Sequence, residues 1–463
     1  MDKYKKLISN TFIFAIGTFS SKVLVFLLMP LYTRVLTTGD MGIVDLIVPT
    51  ANLIIPIVSV GISNGIIRFG LDRSVRKSDV FSTGIITVAG GYLLFLLLRP
   101  LLLKIPIISE YSLLIYLYVL TSCLRSLCSQ FVRAKEYVKL YAFDGVLSTI
   151  MVILFNILFL VVFKLGITGY VLATILSDLF SSVFLFTIAS LGKYIRFRGL
   201  DWQVFGSMLK FCLPLLPTTI FWWITNASDR YLVTFMINEQ ANGLLGIAYK
   251  IPTMIILVSG IFSDAWQMSA ITESERPGQE SFFSNVFNAY QSMIFIAASG
   301  LILFCKLITK IFASPAFYES WQYMPFLIMA TTFSCFVTFL GSIYMVEKKS
   351  MLTLMTTAAG AVINIVLNFM LIPLWGVNGA TFASFISYFV VFCLRALNTR
   401  RFIKLHWNVP KVAFNLLILL TQTLVILNLE TGWVWIEALL CLFMIAVNFK
   451  MLLLNLRRFL SRR

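Results

Sequence analysis

The fold of this chain is decided by one stretch, VLNFMLIPLWGVNGATFAS, which covers residues 366–384. It lies deep in an apolar region, yet it contains an asparagine, a proline and a Gly-x-x-Gly pair where a lipid-facing helix would carry Leu and Phe. Its centre has a second copy earlier in the chain. GITGYVLATILS at 166–177 aligns with GVNGATFASFIS at 376–387, with both glycines, one alanine and the final serine in register. The chain therefore contains an internal repeat.

A second pair of related segments lies near the start of each copy. MGIVDLIVPT at 41–50 resembles LGIAYKIPT at 245–253, with one residue of slippage. The pairs together predict two six-helix halves in parallel repeat, residues 1–200 and 201–400, followed by two further helices and a basic tail in 401–463. Parallel repeats related by an axis along the membrane normal are a known transporter plan. Small residues in Gly-x-x-Gly would let two helices approach closely, and the Pro and Asn before them would mark the end of a span.

The composition indicates an integral membrane protein. Of the 463 residues, 59% are hydrophobic and 12% are charged, whereas soluble domains are about 45–50% apolar and about 25% charged. A spanning helix needs about 20 predominantly apolar residues. Runs of that kind predict an all-α protein with about fourteen transmembrane helices, at 11–33, 41–67, 80–98, 111–132, 145–163, 166–191, 207–237, 243–270, 284–305, 321–345, 351–373, 377–397, 412–429 and 433–454.

The net charge of +17 is explained by membrane topology rather than by binding to a nucleic acid. If the N-terminus is inside and the loops alternate, 27 of the 37 Lys and Arg residues lie in inside segments, six in outside loops and four within spans. Cytoplasmic loops of membrane proteins carry such an excess of basic residues. We therefore expect a multi-pass protein with both termini in the cytoplasm.

Charged residues within spans are the first candidates for function, because each costs about 2.5–3.5 kcal/mol at mid-bilayer on insertion scales. Lys22 lies at the middle of the first span, in FSSKVLVF. It is predicted either to bind an anionic substrate or to form a structural ion pair within the helix bundle. The eighth span carries Lys250 and Asp264, which are fourteen residues apart and so face the same side of a helix.

The second span carries a polar stripe. Asp45, Pro49, Asn52 and Pro56 follow one another at steps of four, three and four, which places them on one helical face. Proline leaves carbonyl groups unpaired, which is tolerated only where protein or water faces them. The stripe predicts a hinge at Pro49 and Pro56 that lines a cavity, or alternatively a tight polar contact between helices.

The seventh span combines Asn226, Asp229 and Arg230. Adjacent residues of a helix do not face each other, so Asp229 and Arg230 are each expected to pair elsewhere. Lys22, Arg230 and Lys250 would bind a pyrophosphate through charge-assisted hydrogen bonds. Asp45, Asp229 and Asp264 would line the same cavity, together with Asn52 and Asn226. The three carboxylates could take up H⁺ or Na⁺.

Several segments together resemble a known family. They are PLYTRVLTTGDMGIVDLI (30–47), SVGISNGIIRFG (59–70), LPLLPTTIFWWITNASDRYLV (213–233), GLLGIAYKI (243–251) and the opening stretch. In order and spacing they are similar to the polysaccharide-transporter branch of the multidrug/oligosaccharidyl-lipid/polysaccharide exporter superfamily. The resemblance implies two six-helix lobes around a central cavity, lined by spans one, two, seven and eight, and an extra pair of helices typical of this branch.

The same resemblance implies the function. Members of this branch flip undecaprenyl-pyrophosphate-linked repeat units of O-antigen, capsule or exopolysaccharide across the bacterial cytoplasmic membrane by alternating access. The expected partners are the polyprenyl-pyrophosphate-linked oligosaccharide, the bilayer and the polysaccharide assembly machinery. We expect a monomer that uses no cofactor or metal and binds no nucleic acid.

Three other functions stay open. A drug/cation antiporter of the same superfamily should have twelve helices and a net acidic cavity. A flippase of the peptidoglycan lipid precursor should have a first span richer in arginine than FSSKVLVF. A polysaccharide polymerase or ligase should place its chemistry on a substantial outside loop, and the outside loops here are short. The chain has no G-x-x-x-x-G-K-[ST], H-E-x-x-H or G-x-S-x-G motif, so it is not expected to be an enzyme.

Overall fold

The computed structural model describes residues 27–72, 74–103, 109–257, 259–260, 262, 279–347 and 349–460. All regular secondary structure in these residues is helical. By packing, the chain divides into two compact units, Met1–Trp223 and Ile224–Arg463, and the boundary falls inside one long helix. The lobe boundaries at residues 200 and 400 stay a prediction.

The first unit consists mainly of membrane-length helices. Its elements are α1 (Met29–Val35), α2 (Thr38–Val58), α3 (Ile62–Gly70), α4 (Lys77–Leu97), the short helix Arg99–Leu102, α5 (Ser112–Ala134), α6 (Val138–Asn156) with a π-helical end at Ile157–Val162, α7 (Gly166–Ile188), a 3₁₀ turn at Leu191–Tyr194 and α8 (Trp202–Cys212). A 3₁₀ turn at Leu213–Leu215 then leads into α9 (Leu216–Met236), which continues into the second unit.

The second unit repeats the plan and adds a helix pair. After α9 come α10 (Glu239–Lys250), α11 (Gln279–Phe312), a 3₁₀ helix at Pro315–Tyr323, α12 (Met324–Val346), α13 (Ser350–Trp375), α14 (Val377–Thr399), α15 (Val409–Asn428) and α16 (Trp433–Leu460). The last two pack beside α11.

Most of the predicted spans match single helices among the described residues. Within the described residues, eleven helices are long and apolar enough to cross a membrane, and the apolar segment Trp433–Phe449 is shorter. The first predicted span and the end of the eighth lie largely outside the described residues. Large apolar side chains such as Leu97, Val162 and Leu374 are exposed on these helices, as expected of surfaces that face lipid rather than water.

The second predicted span is not one helix, which corrects the continuous run at 41–67. Thr37 starts α2 through a capping box, since its hydroxyl accepts from the Asp40 amide at 3.1 Å and the Asp40 carboxylate accepts from the Thr37 amide at 3.0 Å. The helix ends after Val58, because Val60 and Gly61 adopt left-handed conformations with φ of 52° and 60°. The Gly61 amide then donates to the Pro56 carbonyl at 2.9 Å, and α3 begins.

The two Gly-x-x-Gly copies have the same structure. The first glycine of each, Gly166 and Gly376, has φ of +56° and +58° at the turn between two helices, a conformation that glycine adopts without steric cost. The second glycine of each lies against the preceding helix. A Cβ on Gly169 would lie 3.1 Å from the Phe159 carbonyl oxygen, and one on Gly379 would lie 2.2 Å from the Leu371 carbonyl oxygen. The predicted close approach of helices is confirmed.

Each unit has an arginine that ties three helices together. In the first unit, Arg125 of α5 pairs with Asp178 of α7 at 2.9 Å and lies 4.0 Å from Asp144 of α6. In the second unit, Arg395 of α14 is only 2% exposed. It donates to the hydroxyls of Thr356 and Thr357 on α13, at 3.1 Å each, and to the Val337 carbonyl on α12 at 2.8 Å.

Arg395 lies inside α14, which continues to Thr399, and within the span predicted at 377–397. It contributes to helix packing and not to the basic loop that follows. The topology with cytoplasmic termini stays a prediction.

Gly379→Ala should destabilise the protein, because the new methyl group would overlap a backbone carbonyl that cannot move aside alone. Overpacking of this kind costs about 1–3 kcal/mol. Thermal unfolding of the purified protein in detergent measures the loss. Gly300→Ala in α11 is the matched control, since nothing lies within 4 Å of its Cβ position, and removal of a mid-helix glycine should leave stability unchanged or raise it. Equal unfolding temperatures for both variants would contradict the close approach.

Candidate functional site

The centre of the candidate site is Asp229 on α9, whose side chain has no solvent exposure. Its Oδ1 atom accepts a hydrogen bond from Nδ2 of Asn368 on α13 at 2.7 Å. Its Oδ2 atom accepts from the Tyr249 hydroxyl of α10 at 2.6 Å and from the Ser384 hydroxyl of α14. Four helices of the second unit therefore meet at one carboxylate, which receives three hydrogen bonds.

A second layer of amide and hydroxyl groups surrounds these contacts. Asn364 lies one turn before Asn368 on α13, and both are fully buried. The Asn364 Oδ1 atom accepts from the Ser228 hydroxyl at 2.6 Å and from Asn368 Nδ2 at 3.1 Å, while its Nδ2 donates to Ser384 at 3.3 Å. The Asn368 Oδ1 atom has no hydrogen-bond partner among the described residues. The site thus contains an oxygen atom next to the carboxylate that can still accept a donor or a cation.

The charge of Asp229 is not balanced by an ion pair. Among the described residues, no Lys or Arg nitrogen lies within 4.0 Å of its carboxylate. Moving a carboxylate out of water costs several kcal/mol even after relaxation, and hydrogen bonds to the charged form offset that cost. The three donors can therefore hold the ionised carboxylate and could turn toward another group if the carboxylate bound a proton or a small cation.

The cations Arg230 and Lys250 directly follow Asp229 and Tyr249 along the chain. The Arg230 guanidinium lies over the Tyr249 ring, 4.9 Å from its centroid, so Asp229 and Arg230 each have their own partner, as the sequence predicted. Lys250 is the last residue of α10 and is half-buried. Its backbone carbonyl accepts from the Thr253 hydroxyl at 2.5 Å. Asn226 accepts from the Tyr388 hydroxyl at 2.8 Å.

The polar stripe of α2 belongs to the first unit and has a mixed environment. Pro49 is buried, and its carbonyl accepts from the Trp223 indole at 2.7 Å. Asp45 and Pro56 are half-buried, and Asn52 is exposed. Pro49 therefore takes part in a helix contact, while Asn52 is the member of the stripe that is open to the surroundings. Whether the prolines act as a hinge stays a prediction.

Two predicted site residues, Lys22 and Asp264, lie outside the described residues. Their assignment to the substrate pathway stays a prediction from the sequence. The same holds for the shared orientation of Lys250 and Asp264.

The sequence analysis did not identify the three side chains that donate hydrogen bonds to Asp229. It used Asn368 as a marker of the span end, whereas the residue lies seven residues before the end of α13 and donates to the carboxylate. Ser384 lies inside the repeat and Tyr249 beside Lys250, yet neither was singled out. One signal was available: Asn364 and Asn368 are four residues apart in an apolar span, which places two amides on one helical face.

Comparison with known proteins gives the chain a family context. The sequence profile of a family described as "Polysaccharide biosynthesis protein" matches residues 7–267, which is more than half of the chain. No curated protein sequence matches the chain significantly.

The fold also has solved counterparts. A structure described as "Lipid II flippase MurJ, inward closed conformation" aligns with a TM-score of 0.71 and 15% identity, over 97% of this chain and 99% of that chain. Inward-facing and outward-facing structures of a multidrug resistance MATE family transporter of the MOP superfamily align with TM-scores of 0.66 and 0.60 and 14% identity. They cover 82% and 85% of this chain and 95% and 94% of their own. The predicted exporter fold is confirmed.

Asn368→Leu should destabilise the second unit, because it removes the donor to Asp229 Oδ1 while the carboxylate stays buried. An unsatisfied buried polar group costs about 1–3 kcal/mol, and more when it is charged. Thermal unfolding in detergent measures the effect, and Asn428→Leu at the exposed end of α15 is the matched control. In the Asp229→Asn background the same leucine substitution should cost less. If the two costs are equal, the hydrogen bond to the carboxylate does not contribute to stability.

Proposed function

Because the chain belongs to the polysaccharide biosynthesis protein family of the multidrug/oligosaccharidyl-lipid/polysaccharide exporter superfamily, we propose that it is a flippase. It moves undecaprenyl-pyrophosphate-linked oligosaccharide repeat units from the cytoplasmic to the outer leaflet of a bacterial membrane, for capsule, O-antigen or exopolysaccharide synthesis. The observation that carries the proposal is the family match over residues 7–267. The likeness to a lipid II flippase over 97% of the chain supports a flippase fold.

The main barrier to flipping is dehydration of the substrate head group. A pyrophosphate and its sugars lose their water in the bilayer core, and each unpaired polar group costs about 2–7 kcal/mol there. The membrane potential does not oppose the step, since a negative interior favours outward movement of an anion by about 2.3 kcal/mol per charge per 100 mV. Lys22 and Lys250, supported by Arg230, replace the lost hydration while the transporter changes conformation.

Asp229 is the candidate for ion coupling. Its carboxylate is buried without an ion pair to any described residue, and the Asn368 Oδ1 atom beside it could serve as an additional oxygen ligand. A carboxylate with neutral oxygen neighbours binds either H⁺ or Na⁺. Because Asp229 joins α9, α10, α13 and α14, occupancy of this site would change the contacts among four helices at once and could bias the transporter toward one conformation.

The alternatives differ in what they require of the chain. The MATE transporter structures leave 15–18% of this chain uncovered, whereas the lipid II flippase covers nearly all of it. This difference favours a fourteen-helix lipid flippase over a drug antiporter. A lipid-linked peptidoglycan precursor remains the second candidate substrate, because it shares the polyprenyl-pyrophosphate group with the first.

Lys250→Ala should lower the amount of surface polysaccharide per unit of membrane-inserted protein severely, because it removes a cation from the proposed substrate pathway. Lys22→Ala should do the same. Lys22→Arg should retain part of the activity, since charge matters more here than a fixed fork geometry. Lys193→Ala is the matched control, as Lys193 is exposed in a predicted cytoplasmic loop. Wild-type export by both alanine variants would show that these lysines do not bind the substrate.

Asp229→Asn should abolish the response of transport to an ion gradient, because the amide cannot bind a proton or replace the charge of a carboxylate. Flipping of a fluorescent polyprenyl-pyrophosphate oligosaccharide is measured in proteoliposomes with a Na⁺ gradient or a pH gradient. The wild-type rate should respond to one gradient and thereby identify the ion, while the exposed control Glu319→Gln should keep the response. A gradient response that survives in Asp229→Asn would place coupling elsewhere.

A further inference from the structure

A second buried carboxyl group lies where the two C-terminal helices meet α11. Glu437 of α16 has no solvent exposure, and its Oε2 atom accepts from Nε2 of Gln422 on α15 at 2.8 Å. The same amide nitrogen lies 3.4 Å from the Ser299 backbone oxygen on α11. One amide group therefore connects three helices at this point.

This cluster contains three buried oxygen atoms without hydrogen-bond partners among the described residues. They are Glu437 Oε1, Gln422 Oε1 and the Ser299 hydroxyl oxygen. Orphaned polar atoms are rare in native interiors, and each requires a physical explanation. Here the unpaired oxygens of a carboxyl group and an amide belong to two residues that already share one hydrogen bond.

The titratable groups near Glu437 form no close ion pair with it among the described residues. Lys306, seven residues after Ser299 on α11, is the closest cation along that helix. Its Nζ atom lies 4.0 Å and 4.3 Å from the ring centroids of Trp321 and Trp433. In the described part of the chain no ion pair within 4.0 Å reaches Glu437. The other titratable neighbour is the buried thiol of Cys305, and α15 contributes the neutral Gln422.

The two buried carboxyl groups of this unit differ in their donors. Asp229 receives three hydrogen bonds, whereas Glu437 receives one and has a second oxygen without a donor. A buried carboxylate with so few donors is unfavourable, and such a group becomes neutral instead. A protonated Glu437 has an O–H donor on Oε1, and the Gln422 Oε1 atom can accept it.

We propose that Glu437 is a proton-binding site and carries its proton at neutral pH. The acid and the Gln422 amide then form a cyclic pair, in which N–H donates to one carboxyl oxygen and O–H donates to the amide oxygen. This pairing satisfies two of the three orphaned oxygens at once. The step is the uptake of one proton from water by the carboxylate, with no other bond made or broken.

The proton joins α16 to α15 through this O–H···O hydrogen bond, and the Gln422 N–H extends the connection to the Ser299 carbonyl of α11. Loss of the proton removes that bond and leaves the Glu437 Oε1 atom and the Gln422 Oε1 atom both without a donor. Glu437 is the fifth residue of α16 and therefore lies about 6 Å from the start of the helix. Under the predicted topology this end faces the outside. The packing of α16 against α15 is thus sensitive to the proton activity on that side of the membrane.

Infrared spectroscopy of the purified protein in lipid tests the protonation state directly, without reference to transport. At neutral pH the wild type should show the carbonyl band of a protonated carboxyl group, which shifts in heavy water. Glu437→Gln should lose this band, and the exposed control Glu280→Gln should keep it. An identical spectrum of wild type and Glu437→Gln in the carboxylic acid region would show that Glu437 is ionised and would overturn the proposal.

Two further measurements keep the test decisive if Glu437→Gln folds poorly. In Gln422→Ala the acid loses its amide partner, so the band should move to higher wavenumber; an unchanged band would exclude the pair. Thermal stability should fall as pH rises in the wild type, because the folded state loses a proton that it holds more tightly than the unfolded state. That loss should be absent in Glu437→Gln, which mimics the protonated acid, and an equal loss in both proteins would also overturn the proposal.

Discussion

The structure depends on one constraint: a polar group carried into the hydrocarbon by a helix must find its partner within the protein. Several buried polar side chains of the described helices accordingly mark contacts between helices. Asp229 joins four helices, Arg125 joins three through two carboxylates, and Arg395 joins three through neutral oxygens. Apolar side chains enlarge these contacts, but lipid tails are equally apolar and can pack against the same side chains. The polar pairs decide which helix faces lie together.

The two units show that a repeated backbone does not require repeated chemistry. Both contain the same glycine turn, with Gly166 and Gly376 at nearly equal positive φ. The arginine that stabilises the neighbouring three-helix packing comes from α5 in the first unit and from α14 in the second. Glycine adopts positive φ without steric cost, and it occupies this turn position in both copies. A buried cation can be satisfied from any of several facing helices, so its position is free to differ.

Donor number separates the two buried carboxyl groups of the second unit. Asp229 has three donors, and hydrogen bonds of this kind offset the cost of burying its charge. Glu437 has one donor and a second oxygen without a partner among the described residues, which is the basis for proposing that it is a neutral acid. The same residue class can therefore serve transport at one site and helix attachment at another, depending on the groups that the neighbouring helices supply.

The sequence by itself determined the membrane class, the spans, the repeat and the family, because hydrophobic length and glycine turns are local properties of the chain. It also identified Asp229 and Arg230 as residues with separate partners. Only the tertiary structure identified the hydrogen-bond partners. Asn368 lies 139 residues from Asp229 along the chain, and no local sequence pattern links the two. The break after Val58 likewise depends on two left-handed residues, one of which, Val60, has no propensity for that conformation. The spans follow from the cost of placing polar groups in lipid. The hydrogen-bond partners follow from which helix faces meet.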